Sequence, residues 1–289
     1  MKKILKAMLP VALLPYLRLF NNVFVRKDAV SLKSVEFFKN KPNLVVLGNG
    51  PSMDEDVGRL LDARADHDFF CVNNFAVSDL YEKFKPNKYL FMDDYFFSDE
   101  SHLDWKLQRE KTFSYINEKT RWPLQVFVPA QADVEIIKKS ITNTNIEFVK
   151  FCSTGYFSEN LKYSFNLFDT GLFGPFQGNV LIYAIYLGIW SKYDRVKVFG
   201  ADLSLHENVR VDQQTNDLYI EFKHFNNSVK RERFMKNPGK VEPFCMHEFM
   251  KLMAETFSAH NVLQDYAKSK GVEITNCSSY SLIDAYPRG

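Results

Sequence analysis

The sequence of 289 residues lacks several features that would assign a functional class at once. Its 37 basic and 35 acidic residues nearly balance and no basic block stands out, so the charge does not favour a nucleic-acid partner. Only four cysteines occur, Cys71, Cys152, Cys245 and Cys277. None of them has the spacing of a CxxC motif or a metal site, which predicts reduced thiols and a cytoplasmic protein.

The N-terminus contains no apolar run long enough to span a bilayer, which needs about 20 residues. The run from Ala7 to Leu17 is shorter, is interrupted by two prolines and is flanked by basic residues. It imitates a signal peptide, but no small-residue cleavage site follows it. We expect residues 1–41 to lie on an anionic membrane surface, which makes the protein peripheral to the inner membrane. An ordinary packed helix and an uncleaved anchor are the alternatives.

Short apolar runs alternate with amphipathic stretches after residue 42, and no internal repeat or low-complexity linker is present. This alternation predicts an α/β fold with a doubly wound, mostly parallel sheet over residues 42–289. Several strands are apolar throughout, as expected where helices cover both faces. The predicted strands are residues 43–48, 68–72, 88–92, 124–128, 146–151, 195–200 and 272–276. The predicted helices are residues 54–64, 104–118, 132–139, 178–191 and 246–270.

One long stretch does not fit the alternating pattern. Residues 204–243 are polar and basic without clean periodicity, and they lie between a strand and the last long helix. A loop of this length in a compact domain is usually a functional insert or disordered. We predict a lid over residues 204–245 that covers an active site.

The strongest local motif is the glycine loop GNGPS, from Gly48 to Ser52, directly after the first predicted strand. Glycines allow positive φ and close approach to a ligand, and Ser52 is placed to cap a helix that starts near Asp54. The helix amides would then face an anion, which predicts a nucleotide phosphate site. The loop is neither a Walker loop nor GxGxxG, and a tight turn without a ligand is the alternative.

Polar residues also follow three other predicted strands. They are Asn73-Asn74, Asp93-Asp94 and the run from Gly200 through Asp202 to Ser204. Ligands of open parallel sheets bind at the carboxyl ends of the strands, so we expect these residues to converge. Asp202 is placed either to accept a hydrogen bond from a ribose or to cap the following turn.

The adjacent acids Asp93-Asp94 raise the question of a metal ion. Such a pair can hold Mg²⁺ or Mn²⁺ on a sugar nucleotide diphosphate. Adjacent side chains point to opposite sides of a strand, however, which disfavours a shared ion if the strand continues. We therefore predict no metal.

Two histidines are candidates for a general base, which must titrate near neutrality and reach an acceptor hydroxyl. His247 begins the last predicted helix, directly after the lid, and His224 lies within the lid. We predict His247 as the base and His224 as the second candidate.

Taken together, these motifs resemble bacterial sialyltransferases of the Campylobacter type. The resemblance rests on GNGPS, the Asn-containing turn after the second strand, the stretch 178–202 and the closing SKGVEITNCSSYSLI, and it covers residues 43–283 in patches. The GNGPS turn is also similar to that of uncharacterised proteins related to a pterin pyrophosphokinase.

The resemblance implies an inverting, metal-independent glycosyltransferase with a GT-A-like variant of the Rossmann fold and a CMP-linked acidic sugar as donor. The implied donor contacts are Asn49, Gly50 and Ser52 to CMP, Asn73 to the phosphate and sugar, Gln177 and Gly178 to the sugar carboxylate, and Asp202 to the nucleoside, with Gly48, Asn74 and Ser204 beside them. Asp93 would contact donor and acceptor, and His247 would be the base. The family's two phosphate-stabilising tyrosines have no counterpart, since Ser204 stands at the first position.

We therefore expect a glycosyltransferase that extends a bacterial surface glycan, either lipopolysaccharide or capsule. Its partners would be a nucleotide-sugar donor and an oligosaccharide or lipid-linked acceptor, and it could form a homo-oligomer. One alternative is an ATP- and Mg-dependent pyrophosphokinase or phosphotransferase, in which Asp93 and Asp94 bind the metal. The other is a non-catalytic nucleotide-sugar-binding protein.

Overall fold

The computed structural model describes Leu17, Phe20 and residues 31–156, 158–223, 229–237 and 239–289. The remainder of the predicted membrane-surface segment up to residue 30 lies outside these ranges, and so does His224. No helix within the described ranges has both the length and the apolar character needed to cross a membrane.

A parallel sheet of seven strands forms the centre of the molecule, and a second sheet of three antiparallel strands stands apart from it. The strands are β1 (Asn43–Leu47), β2 (His67–Val72), β3 (Lys88–Leu90), β4 (Leu124–Pro129), β5 (Ile146–Phe151), β6 (Arg195–Phe199), β7 (Val209–Val211), β8 (Leu218–Lys223), β9 (Val229–Arg233) and β10 (Glu273–Asn276). The order in the central sheet is β10-β6-β1-β2-β3-β4-β5, with every neighbouring pair parallel. All seven predicted strands and the Rossmann-like, doubly wound fold class are confirmed.

Helices connect the strands of the central sheet. They are α1 (Met53–Asp62), α2 (Leu80–Phe84), α3 (Leu103–Lys119), α4 (Val134–Ser140), α5 (Leu161–Phe168), α6 (Val180–Trp190) and α7 (Met246–Ser269). The five predicted helices are present, whereas α2 and α5 were not predicted. They have only five and eight residues, so neither contains enough turns to establish a helical period.

The core has two layers, one on each face of the central sheet. In β1, Leu44 and Val46 pack with α5, α6 and α7, whereas Val45 and Leu47 pack with α1 to α4. Alternate residues of a strand point to opposite faces, so a buried strand must be apolar at every position. α6 is apolar on all sides because it lies between the sheet and α7.

The second sheet, formed by β7, β8 and β9, lies within the predicted lid of residues 204–245. The sequence predicts no regular structure here, and this expectation is wrong. Val209 and Ile220 pack on Phe249 and Met253 of α7, while charged side chains cover the opposite side. β7 and β8 do alternate between apolar and polar residues, but they have only three and six residues and stand among polar turns, so the period is too short to stand out. We call residues 204–245 the insert; its movement as a lid stays a prediction.

Residues 31–41 form a strap across the amino ends of the strands. Asp68 accepts hydrogen bonds from the amides of residues 40 and 41, at 2.7 and 3.2 Å, and Gln125 bonds both Glu36 and Phe38. The buried Lys88 donates to the carbonyl oxygen of Phe38. The strap therefore packs with the α/β domain, although the predicted boundary at residue 41 assigns it to the N-terminal segment.

All four cysteines are reduced thiols, as predicted. Cys71, Cys152 and Cys277 are buried, whereas Cys245 is exposed at the residue that precedes α7.

Candidate functional site

The topological switch of the central sheet lies between β1 and β6. The chain proceeds from β1 to β2 on one side and later returns to β6 on the other side. Ligands of doubly wound sheets bind at the carboxyl edge at this point. The glycine loop after β1 and the segment 200–204 after β6 meet there, as the sequence predicts.

The amides of the glycine loop donate hydrogen bonds within the protein. Gly48 N donates to Phe199 O and Gly50 N to Gly200 O, both at 2.9 Å. Ser52 N donates to Asp202 Oδ1 at 3.1 Å. These three amides are not available to a phosphate, so Gly48, Gly50 and Ser52 do not form the predicted amide cradle.

The glycines are required by the close approach of two strand ends. A Cβ atom on Gly48 would lie 2.3 Å from Gly200 O, and one on Gly50 would lie 1.8 Å from Asp202 Oδ2. The positive φ occurs at Gly200, at +61°, and at neither of the two loop glycines. The GNGPS motif therefore reflects packing against the end of β6.

Ser52 and Asp202 bind each other. Ser52 Oγ donates to Asp202 Oδ2 at 2.8 Å and makes no cap hydrogen bond to α1, contrary to the prediction. Asp202 is buried, and burial raises the pKa of its carboxyl while the hydrogen bonds from Ser52 partly counter this. Asp202 therefore holds the glycine loop in place, and its buried carboxylate is not accessible to a ribose hydroxyl. Ser204 precedes a 3₁₀ turn, again without a side-chain cap.

Asparagines link the ends of β1, β2 and β3. Asn49 Nδ2 donates to Val72 O at 3.1 Å, and Asn73 Nδ2 donates to Asp93 Oδ2 at 2.8 Å. Asn73 is buried and has a left-handed backbone with φ of +47°. Asn74 bonds Tyr95 OH and Thr112 Oγ1 and thus braces the wall of the site. The predicted residues therefore lie close together at the carboxyl edge of the sheet, and most of them hydrogen-bond to one another or to neighbouring protein groups.

A cavity of about 490 Å³ opens beside these hydrogen-bonded residues. Its walls come from the end of β3, from the segment 177–180 at the start of α6, from Trp105 and Leu252, and from the insert. The volume lies in the range of small-molecule sites. Another cavity, of about 470 Å³, lies at the opposite edge of the sheet beside Tyr193 and Lys270, away from the predicted residues. We take the first as the candidate active cavity.

Asp93 and Asp94 both line the active cavity. β3 ends at Leu90 and a 3₁₀ turn begins at Asp94, so the strand alternation that would separate the two side chains does not apply. The Asp93 side chain is exposed to solvent within this concave site. The protein atoms around the cavity still desolvate its carboxyl, and this desolvation, together with the neighbouring charge of Asp94, raises the pKa of Asp93 to about 6. Among the described residues, no group of three or more His, Cys, Asp or Glu is placed to hold a metal ion.

The segment before α6 forms the opposite wall. Gln177 Nε2 donates to Ser153 O, so this predicted side chain is already engaged. A Cβ atom on Gly178 would lie 2.0 Å from Thr256 Oγ1, so glycine is needed where α6 meets α7. Asn179 Oδ1 caps α6 by accepting from Ile182 N at 3.1 Å.

His260 supports this wall from behind, which the sequence did not predict. Its Nε2 lies 3.5 Å from Asn179 Nδ2, and its Nδ1 lies 2.8 Å from Tyr286 OH. Complete burial lowers the pKa of His260 to about 3, so the ring is neutral. Because Asn179 turns its oxygen to the helix, we assign Nε2 as acceptor and Nδ1 as the protonated nitrogen.

His247 does not line the cavity. It is exposed in the first turn of α7. The buried Phe249 and the cavity-lining Leu252 lie about 200° and 140° around the helix from it, at roughly 100° per residue. The predicted base therefore faces solvent on the other side of α7. The second candidate, His224, falls outside the described residues.

The insert contributes a cation and two aromatic rings to the cavity, and none of these residues was predicted from the sequence as part of the site. Lys236 lines the cavity and pairs with Glu242 and Glu248 at 2.8 and 2.7 Å, and these hydrogen bonds raise the pKa of Lys236. Phe234 and Phe244 lie beside it. Asn237 also lines this wall.

Comparison with known proteins does not assign a family to this chain. No protein-family model matches the sequence, and no curated protein matches it. Among solved structures, the chain is similar to the MAf glycosyltransferase from Magnetospirillum magneticum AMB-1, with a TM-score of 0.47 and 12% sequence identity. The similarity covers 91% of this chain but 35% of that one, so this chain spans about a third of its length. A likeness at this level does not carry an activity to this chain.

Proposed function

We propose that the chain is an inverting glycosyltransferase that moves a sugar from a nucleotide donor to a surface-glycan acceptor. The observation that carries this proposal is the carboxylate of Asp93. It lines a cavity of about 490 Å³ at the carboxyl edge of the sheet, is hydrogen-bonded by Asn73, and has its pKa raised to about 6 by desolvation and by Asp94. A general base works best when its pKa lies near the operating pH.

Asp93 then replaces His247 as the catalytic base. Its carboxylate takes the proton from the acceptor hydroxyl as that oxygen attacks the anomeric carbon of the donor. The bond from this carbon to the phosphate oxygen breaks, the electron pair leaves with the nucleotide, and the configuration inverts. Asn73 holds the carboxylate in one orientation, which reduces the entropic cost of reaching the reactive geometry.

The charge of Lys236 is balanced by Glu242 and Glu248, so the positive potential for the donor comes from the start of α6. The first amides there, at Val180 and Leu181, have no acceptor within the helix. These groups suit an acidic sugar and its departing phosphate, which supports a CMP-linked donor. Since the Gln177 side chain is engaged within the protein, the backbone amides at the start of α6 take over its predicted contact with the sugar carboxylate.

One observation favours the alternative of an ATP- and Mg-dependent phosphotransferase. Asp93 and Asp94 both face the cavity, and Mg²⁺ is commonly held by one or two carboxylates together with substrate phosphates. Metal-independence is therefore part of the proposal to be tested.

A thermal-unfolding screen with CMP, UDP, GDP and ATP, each with Mg²⁺ or with EDTA, separates these functions. A nucleotide at 100 times its Kd stabilises the folded state by about 2.7 kcal/mol, which raises the Tm by several degrees. We expect CMP to stabilise the protein equally with Mg²⁺ and with EDTA. If ATP stabilises the protein only when Mg²⁺ is present, the alternative of a phosphotransferase is supported instead. If no nucleotide raises the Tm, both functions are wrong.

A transfer assay completes the test. CMP-linked acidic sugars are supplied with a bacterial glycan acceptor, and both transfer and donor hydrolysis are measured. Binding of CMP without transfer or hydrolysis would favour a non-catalytic nucleotide-sugar-binding protein. The N-terminal membrane-surface segment is compatible with a lipid-linked acceptor, and separation of soluble and membrane fractions measures that association.

A further inference from the structure

A third pocket, of about 340 Å³, lies beside the active cavity. One wall is a ribbon of two paired segments, in which Gly155 and Gly174 form a parallel bridge and Tyr156 N donates to Gly174 O at 2.9 Å. The other wall is α7, through Ala259 and Val262. We call this the ribbon pocket.

Small residues keep the ribbon pocket open. A Cβ atom on Gly155 would lie 3.2 Å from Pro175 O of the other segment, so this glycine lets the two segments run close together. A Cβ atom on Gly174 would lie 2.8 Å from Tyr183 OH, so that glycine lets the ribbon pack on α6. On α7, the facing residues are mainly Ala254, Ser258 and Ala259. The short side chains on α7 leave space for a ligand between the helix and the ribbon.

The lining of the ribbon pocket is apolar. Tyr156, Pro175 and Phe176 form the ribbon side, and the only ionisable carboxyl on the α7 side is Glu255, which is partly exposed. A sugar bound here would leave several hydroxyls without hydrogen-bond partners, which costs free energy. A hydrocarbon chain has no such groups and gains from each methylene removed from water.

The ribbon pocket and the active cavity share two structural elements. Phe176 lines the pocket and the next residue, Gln177, lines the cavity. On α7, Leu252 lines the cavity and Glu255, on the same side of the helix and less than one turn further along, lines the pocket. A molecule with a polar head and an apolar tail can therefore occupy both sites at once.

We propose that the ribbon pocket binds the first methylenes of the hydrocarbon chain of a lipid-linked acceptor, whose sugar head lies in the active cavity. This inference rests on the proposed glycosyl transfer and names the acceptor class. The chain orients the acceptor hydroxyl towards Asp93, and it favours lipid-linked acceptors over free sugars.

Alkyl glucosides test the proposal without knowledge of the natural acceptor. Methyl, hexyl, octyl and decyl β-glucoside are titrated by calorimetry below their micelle concentrations, in the presence of CMP. We expect affinity to rise by up to about fourfold per methylene that enters the pocket, and then to level off. Equal affinity for methyl and decyl glucoside would overturn the proposal.

A matched pair of variants locates the binding. Ser258→Trp fills the ribbon pocket from its exposed rim, whereas Asn261→Trp adds the same ring to α7 at an exposed position that does not line it. We expect Ser258→Trp to abolish the dependence on chain length and Asn261→Trp to retain it, with CMP binding unchanged in both. Loss of methyl glucoside binding in Ser258→Trp would indicate a sugar subsite and contradict a hydrocarbon site.

The same experiment separates two kinds of failure. If CMP binds and chain length has no effect, the proposal for the ribbon pocket is wrong while the proposed function stands. If neither CMP nor any other nucleotide of the thermal-unfolding screen binds the unchanged protein, the proposed function itself fails. Equal loss of the chain-length effect in both variants would show that the chain binds elsewhere on α7, which also overturns the proposal.

Discussion

Asp93 and Asp202 follow strands of the same sheet but have different chemical roles. Both oxygens of Asp202 accept hydrogen bonds from Ser52, and the side chain is buried. Asp93 receives a hydrogen bond from Asn73 at Oδ2 and lines the active cavity. Only Asp93 retains access to a substrate, so it is the carboxylate that can exchange a proton during a reaction.

Asp93→Asn should abolish most activity without loss of binding. The substituted side chain keeps an oxygen that can accept from Asn73, but it cannot take a proton. We expect kcat to fall about 10²–10⁴-fold, the usual contribution of a general base, with KM for the donor little changed. In the unchanged protein, kcat should rise with pH through about 6 and then level off, because the carboxylate must be deprotonated.

Protein stability provides the control for this variant. The pKa of Asp93 is raised in the folded state, from 3.8 to about 6, so between these values the folded protein binds more protons than the unfolded chain. The free energy of unfolding contributed by Asp93 therefore falls as the pH rises through this window. Chemical denaturation should show Asp93→Asn gaining stability relative to the unchanged protein from pH 4 to pH 7; a relative loss would contradict the assigned environment.

At the scale of elements, the contact between α6 and α7 builds one wall of the active cavity. Gly178 lies against Thr256, and Asn179 lies against His260 one turn further along α7. The wall therefore depends on the distance between two helices, and small changes in that distance displace the start of α6.

Gly178→Ala should separate the two helices. The added methyl would lie 2.0 Å from Thr256 Oγ1 and 2.9 Å from its Cα, so a side-chain rotation cannot relieve the clash. We expect a loss of about 1–3 kcal/mol in unfolding free energy and a weaker affinity for the donor. Gly58→Ala is the control, since nothing lies within 4 Å of its Cβ position in α1. It should stabilise the protein by about 0.4–1 kcal/mol.

The strands and long helices of the central sheet could be predicted because each is recognisable from its own stretch of sequence. Strands such as β1 and β2 are apolar runs bounded by turn residues, and each can be recognised by itself. The role of Gly50 cannot be recognised in this way, since its neighbour Asp202 is 152 positions away in the chain. Lys236 was missed for a related reason, because it follows the last strand of the insert and no strand period orients its side chain.

For the molecule as a whole, the two edges of the sheet have separate functions. The strap binds the amino edge through Asp68, Lys88 and Gln125, while the active cavity opens at the carboxyl edge. The strap thus closes the end of the domain that takes no part in the proposed chemistry. It also connects the N-terminal segment to the three strands that bear these residues.

Lys88 makes the strap sensitive to pH. Burial lowers the pKa of Lys88 to about 7, with the nearby Asp68 acting in the opposite direction. Between pH 7 and 10.5 the unfolded chain keeps a proton that the folded protein has released, so unfolding becomes harder as the pH rises. Relative to Lys88→Met, the unchanged protein should gain stability over this range, by at most about 1.4 kcal/mol per pH unit. A flat difference would show that Lys88 stays charged.

The placement of the cysteines has a practical consequence. Three of the four thiols are buried, and the exposed one, Cys245, stands between the cavity-lining Phe244 and the first residue of α7. A thiol-directed fluorophore would therefore attach at a single known position, on the junction of the insert with the rest of the domain. Labelling the native chain would turn any motion of the insert into an optical signal, so the predicted movement of the insert as a lid can be tested without engineering a new residue.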